Sequence, residues 1–147
     1  MAGSSMTFTY DEGYDGSGNH GGIKKVIADF VTDDTAGTAS GTTRKIVGRL
    51  IKIVTDPGAT APTDNWDVVL TDEEGVNLSI HMDDVAIAAL IARDTANSEE
   101  TYLPLEDTAG TGRMAAWPVV CDKLTIAVAN AGNSKNGQII LYYAPGF

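Results

Sequence analysis

The stretch "RKIVGRLIKIV" (Arg44 to Val54) carries β-branched and apolar residues at nearly every position. Read with a period of two, Ile46, Gly48, Leu50, Lys52 and Val54 point one way, and Val47, Arg49, Ile51 and Ile53 the other. Both sets are largely apolar, which predicts a long strand covered on both faces. Gly48 in its middle predicts a bend, a bulge or a close backbone approach.

Strands extend outward from this one. "IKKVIADFV" (Ile23 to Val31) places Val26, Ala28 and Phe30 on one face. "WDVVLTDEEGVNLSIHM" (Trp66 to Met82) alternates, turns at "DEEG" and alternates again, the pattern of a β-hairpin. Near the C-terminus "KLTIAVAN" (Lys123 to Asn130) sets Leu124, Ile126 and Val128 against Thr125, Ala127 and Ala129. "AGNSKNG" then turns into a last strand, "QIILYYA" (Gln138 to Ala144). "TDDTAGTASGTT" (Thr32 to Thr43) reads as a surface loop, and "TDPGATAPTDN" (Thr55 to Asn65) as a turn with Gly58 at positive φ. One helix is expected, "DDVAIAALIARD" (Asp83 to Asp94), capped by Asp83 or Asp84.

Seven or eight short strands without strand–helix alternation point to an all-β fold, an antiparallel β-sandwich or jelly-roll-like domain over residues 23–147. At 147 residues and 43% hydrophobic content, one domain with a genuine core is expected. Residues 1–22, with "DEGYDGSGNHGG" (Asp11 to Gly22), read as a flexible N-terminal arm. The start "MAGSSMTFTY" lacks the basic and apolar regions of a secretory signal, and the longest apolar run, "VAIAALIA" (Val85 to Ala92), is too short to span a bilayer.

Lys and Arg total 10 against 20 Asp and Glu, a net charge of −10. Such a surface disfavours nucleic acid and anionic membranes as partners. The single cysteine, Cys121, forms no intrachain disulfide and reads as a small buried residue at a strand edge. The glycine-rich stretch fails as a calcium loop, since His20 stands where glycine is required and Val26 where glutamate is required. "GSGNHG" (Gly16 to Gly21) has the G-x-G-x-x-G spacing but leads into a strand rather than a helix. Two histidines, His20 and His81, and one cysteine do not complete a zinc site. The acid pairs Asp33–Asp34, Glu73–Glu74, Asp83–Asp84 and Glu99–Glu100 fall in predicted turns and loops and read as solvated. Lys45, Arg49 and Lys52 form a basic strip or protect an edge strand. No catalytic, cofactor or metal residue emerges, and an enzyme is not expected.

Two segments, "ASGTTRKIVGRLIKIVTDPGATAPTDNWDVVLTDEEGVNL" (Ala39 to Leu78) and "LTIAVANAGNSKNGQIILYY" (Leu124 to Tyr143), resemble small bacteriophage virion structural proteins, often head decoration (cement) proteins. The resemblance rests on turn glycines, Pro57, Pro62 and strand alternation, and departs over Asp83 to Gly112. It implies a homo-oligomer, expected to be a trimer, that binds the major capsid protein on the outer surface of the assembled head. Expected contacts are Phe8, Tyr10 and Tyr14 on the arm, and Tyr102 and Leu103 in the segment Thr95 to Gly112. The alternatives are a tail or fibre adaptor, a carbohydrate-binding module stacking sugars on Trp66 and Trp117, and a small hydrolase using one of the acid pairs.

Overall fold

The computed structural model describes residues 3–13, 22–78, 90–92, 97–102 and 118–145. These form ten strands: β1 Ser5–Asp11, β2 Lys24–Val31, β3 Ala39–Thr42, β4 Ile46–Pro57 and β5 Trp66–Thr71 in the first half. β6 Leu90–Ala92, β7 Glu99–Tyr102, β8 Val119–Asp122, β9 Thr125–Ala129 and β10 Asn136–Ala144 follow. One sheet has six strands in the order β1-β2-β10-β4-β7, with β8 also on β4; the other has the order β3-β9-β5-β6. Every pairing is antiparallel. The result is the expected all-β sandwich, and the described residues contain no helix.

Alternation produces the core. Phe30 on β2 and Trp66 on β5 meet between the sheets with ring centroids 5.3 Å apart. Around them Leu50, Ile126, Ile139 and Leu141 are fully excluded from solvent. Burial of each such side chain contributes about 1.5–3 kcal/mol, so the sandwich rests on its inner faces.

β4 departs from simple alternation. On β10, Tyr142 pairs with Lys52 but Tyr143 pairs with Leu50, leaving Ile51 as the extra residue of a bulge. The bulge shifts the phase: Ile46 and Leu50 face the core before it, and Ile53 and Thr55 after it. Thus Ile46, Leu50 and Ile53, drawn from both apolar sets, serve one core, while Val54 is buried on the opposite face, where the predicted cover on both sides holds. The other edge of β4 also changes partner here, from β8 at Ile46–Arg49 to β7 at Lys52–Thr55. Gly48 has φ +155°, and a Cβ there would run into the Ala144 carbonyl, the close approach anticipated for it.

Several expectations are corrected. Residues 5–11 are not a free arm: β1 pairs with β2 along its whole length. Its inward side chains Met6, Phe8 and Tyr10 pack on the core. Gly41 on β3 makes room for Met6 and Phe8, so β1 closes one open side of the sandwich. The loop expected over Thr32 to Thr43 contains β3, which pairs with β9 and buries Ala39. Within the helix expected over Asp83 to Asp94, Leu90–Ala92 is a strand paired with Trp66–Val68; residues 83–89 and 93–94 lie outside the described residues. Gly58 does not take positive φ; its need for glycine is the Asn136 side chain, which a Cβ would strike. Cys121 sits on β8 as expected but is exposed, because it faces outward opposite Val47. The hairpin after β5 is present as far as Leu78, whose N–H donates to the Leu70 carbonyl at 2.7 Å.

Gly48→Ala should destabilise the fold by about 1–3 kcal/mol from backbone strain alone. Leu50→Ala should cost about 2–5 kcal/mol by leaving a cavity. Urea unfolding of both variants measures these losses.

Candidate functional site

Paired carboxylates are what acid–base chemistry on this chain would need. Asp33 is a structural residue. One carboxylate oxygen accepts the N–H groups of Thr35 (2.9 Å), Ala36 and Gly37 (3.3 Å). The other accepts the N–H (3.1 Å) and hydroxyl (2.6 Å) of Thr38. These bonds favour the ionised form and hold its pKa well below the ordinary 3.8, the Thr38 hydroxyl contributing most. The folded loop is stitched to the crossing between β9 and β10: Ser134 N–H donates to the Asp33 carbonyl at 3.1 Å, and Ala131 N–H to the Gly37 carbonyl at 3.2 Å. Beside it, the Thr32 hydroxyl donates to the Gly132 carbonyl at 2.7 Å and accepts from Lys135 N–H at 2.8 Å.

The remaining pairs are dispersed. Glu100 binds Lys52 at 2.7 Å, and Glu73 accepts the Lys123 N–H at 3.3 Å. Asp83 and Asp84, like His20 and His81, lie outside the described residues. Among the described residues no group of three or more His, Cys, Asp or Glu could hold a metal ion.

The expected contact residues divide. Phe8 and Tyr10 are used within the fold. The Tyr10 hydroxyl accepts the Arg44 N–H at 2.7 Å, and the Arg44 guanidinium lies 4.0 Å from the ring centroid. Arg44 and Lys24 both pair with Glu12, Lys24 at 2.6 Å, so the chain leaving β1 is clamped at its root. Asp11 is held below the ordinary 3.8 by the Gly13 N–H and, to a lesser degree, by Lys25. Tyr102 is in β7, paired with Lys52; Tyr14 and Leu103 lie outside the described residues. Trp66 is fully buried and cannot stack on a sugar; Trp117 lies outside the described residues.

The strongest surface feature is the outer face of the six-stranded sheet, which alternation along β2, β10 and β4 turns away from the core. Register sorts its side chains into rows. Asp29, Gln138 and Asp56 form the first, with Gln138 donating to Asp29 at 2.6 Å and Ser98 to Asp56 at 2.8 Å. Together with Val31, Pro57 and Asn136 they line an open cleft of about 450 Å³. Ile27 and Ile140, both half-buried, and Val54, which is buried, form an apolar second row. Lys25, Tyr142 and Lys52 form the third, with the Lys52 ammonium 4.7 Å from the Tyr142 ring centroid. Beyond it Arg49 pairs with Val119 and Val47 with Cys121, and both valines are exposed. Arg49 and Lys45 have no ion-pair partner among the described residues. The sequence names Lys45, Arg49 and Lys52 as a basic strip, but period-two counting puts Arg49 and Lys52 on opposite faces. The bulge at Ile51 brings both to this one, and the rows follow from the order of strands.

The chain matches no known protein-family model, and no curated protein is significantly similar to it.

Because the folded pKa of Asp33 is depressed, its stabilisation is fully present above 3.8 and is lost as pH falls through the folded value. Asp33→Ala should therefore be less stable than the parent at neutral pH, with the gap narrowing only below pH 3.8. Denaturant unfolding across acid pH checks this. Cys121 should react with a thiol reagent in the native protein at a rate close to that in urea.

Proposed function

We propose that this is a non-enzymatic structural protein of a bacteriophage virion that decorates the assembled head from outside, binding and stabilising the major capsid protein. The observation that carries this reading is where the resembling segments fall. Ala39 to Leu78 supplies β3, β4 and β5, and Leu124 to Tyr143 supplies β9 and nearly all of β10. β4 and β10 are interior strands of one sheet and β5 and β9 of the other, with β3 the edge beside β9, so the resemblance covers the framework of the sandwich rather than one surface loop. A stiff two-sheet body with polar knots at its loops suits a component that must persist on a particle surface.

The sugar-binding alternative loses its first platform with the burial of Trp66. The tail or fibre adaptor differs from a decoration protein in stoichiometry. Purified protein mixed with heads lacking it should sediment with them, saturating at on the order of hundreds of copies per head, as a shell lattice requires. Saturation at about a dozen would assign it to a ring-shaped adaptor instead. Absence of binding to heads and tails would overturn the virion reading.

A further inference from the structure

We propose that the outer face of the six-stranded sheet is a two-fold contact with a second copy of this chain. The face is polarised along its strands. Asp29 and Asp56 stand at one end, Ile27 and Ile140 in the middle, and Lys25 and Lys52 two residues further on. Turning a second copy by 180° about an axis along the apolar row brings the faces together with strand directions reversed. That one operation lays Ile27 and Ile140 against their own counterparts. It also sets Asp29 and Asp56 of each copy opposite Lys25 and Lys52 of the other, the self-complementarity an isologous contact requires.

Charge favours this occupant. The hydrogen-bond partners of Asp29 and Asp56, Gln138 and Ser98, are neutral, so neither carboxylate has a cation within the described residues. Lys25 and Lys52 have internal partners, Asp11 at 3.5 Å and Glu100 at 2.7 Å. The exposed Lys25–Asp11 pair contributes little and re-forms readily around a second carboxylate; Lys52, whose side chain is 19% exposed, shares its ammonium between Glu100 and the second copy. Elsewhere two copies of a chain of charge −10 repel each other, whereas this face opposes unlike charges on both sides of an apolar centre. The size falls at the lower end: β1, β2, β10 and β4 at about 4.8 Å spacing and about 30 Å length give a face of roughly 600 Å², against the ~800 Å² per partner of a standard interface. Aligned sheets pack about 10 Å apart at about −30°, which keeps the opposed rows within reach.

The contact goes beyond the virion reading and is measured without heads; its two-fold symmetry also differs from the trimer that the resemblance implies. Sedimentation equilibrium of the purified chain should give a dimer at low ionic strength. Asp29→Lys with Asp56→Lys, and separately Lys25→Glu with Lys52→Glu, should each weaken it at least about 100-fold, since like charges then face each other. All four reversals in one chain should restore the dimer. Melting temperatures establish that each variant is folded; if one is not, Ile140→Arg at the centre of the face replaces it and should also abolish the dimer. A wild-type monomer at roughly 100 µM, above the micromolar limit typical of a standard interface, overturns the proposal. So does a trimer, or a dimer indifferent to these substitutions.

Discussion

Leu50 and Ile53 can share one core only because Ile51 between them has no partner on β10. A strand without the extra residue would turn Ile53 outward and Lys52 inward, placing an ammonium group beside Leu141 in the core. Burying that charge without a partner would cost several kcal/mol, more than any neighbouring contact returns. The bulge also bends β4 where its outer edge passes from β8 to β7, so one twelve-residue strand serves two short partners in succession. The arrangement of the six-stranded sheet therefore hangs on one unpaired residue.

At the loop ends the structure depends on polar groups instead. Thr32 and Asp33 gather backbone donors from their own loop and from the 130–135 crossing, which carries the chain from one sheet to the other. Asn130 and Ser134 take positive φ there, conformations that are tolerated because the surrounding hydrogen bonds specify them. On the open side, Tyr10, Arg44 and Glu12 tie β1 down by a ring–cation contact and ion pairs. Within the sandwich the Trp66 indole N–H has no partner among the described residues, a local cost of about 1–3 kcal/mol set against the burial of the largest ring in the core.

Strands with large alternating residues were readable in advance, including β2, β5, β9 and β10. The strands missed were β1, β3, β6 and β7: β6 lies in a segment with a helix-like apolar stripe and β7 in a polar one expected to meet a partner. β3, "ASGT", has no large side chain, and it is a strand because β9 pairs with it and Gly41 admits Phe8. β1 has perfect alternation of Met6, Phe8 and Tyr10 against Ser5, Thr7, Thr9 and Asp11, but the adjacent glycines drew the whole segment into an arm reading. The bulge was invisible because period-two counting assumes an unbroken phase. Cys121 has apolar neighbours in sequence, and its exposure follows from the direction set by pairing with Val47. The rows of the outer face were unreadable for the same reason: Asp29 and Gln138 are 109 residues apart in sequence and become neighbours only through strand order.

That strand order has a temporal consequence. β10 lies between β2 and β4, so the six-stranded sheet cannot assemble until residue 144 has been synthesised. Before then β2 and β4 each expose the edge that β10 will fill, together with Val26, Phe30, Leu50 and Ile53. The nascent chain thus holds its apolar surface without a partner through most of translation, the period in which chaperone binding or misassembly competes with folding. Closure then requires contacts between distant parts of the chain, and folding of this sandwich should be slow and all-or-none.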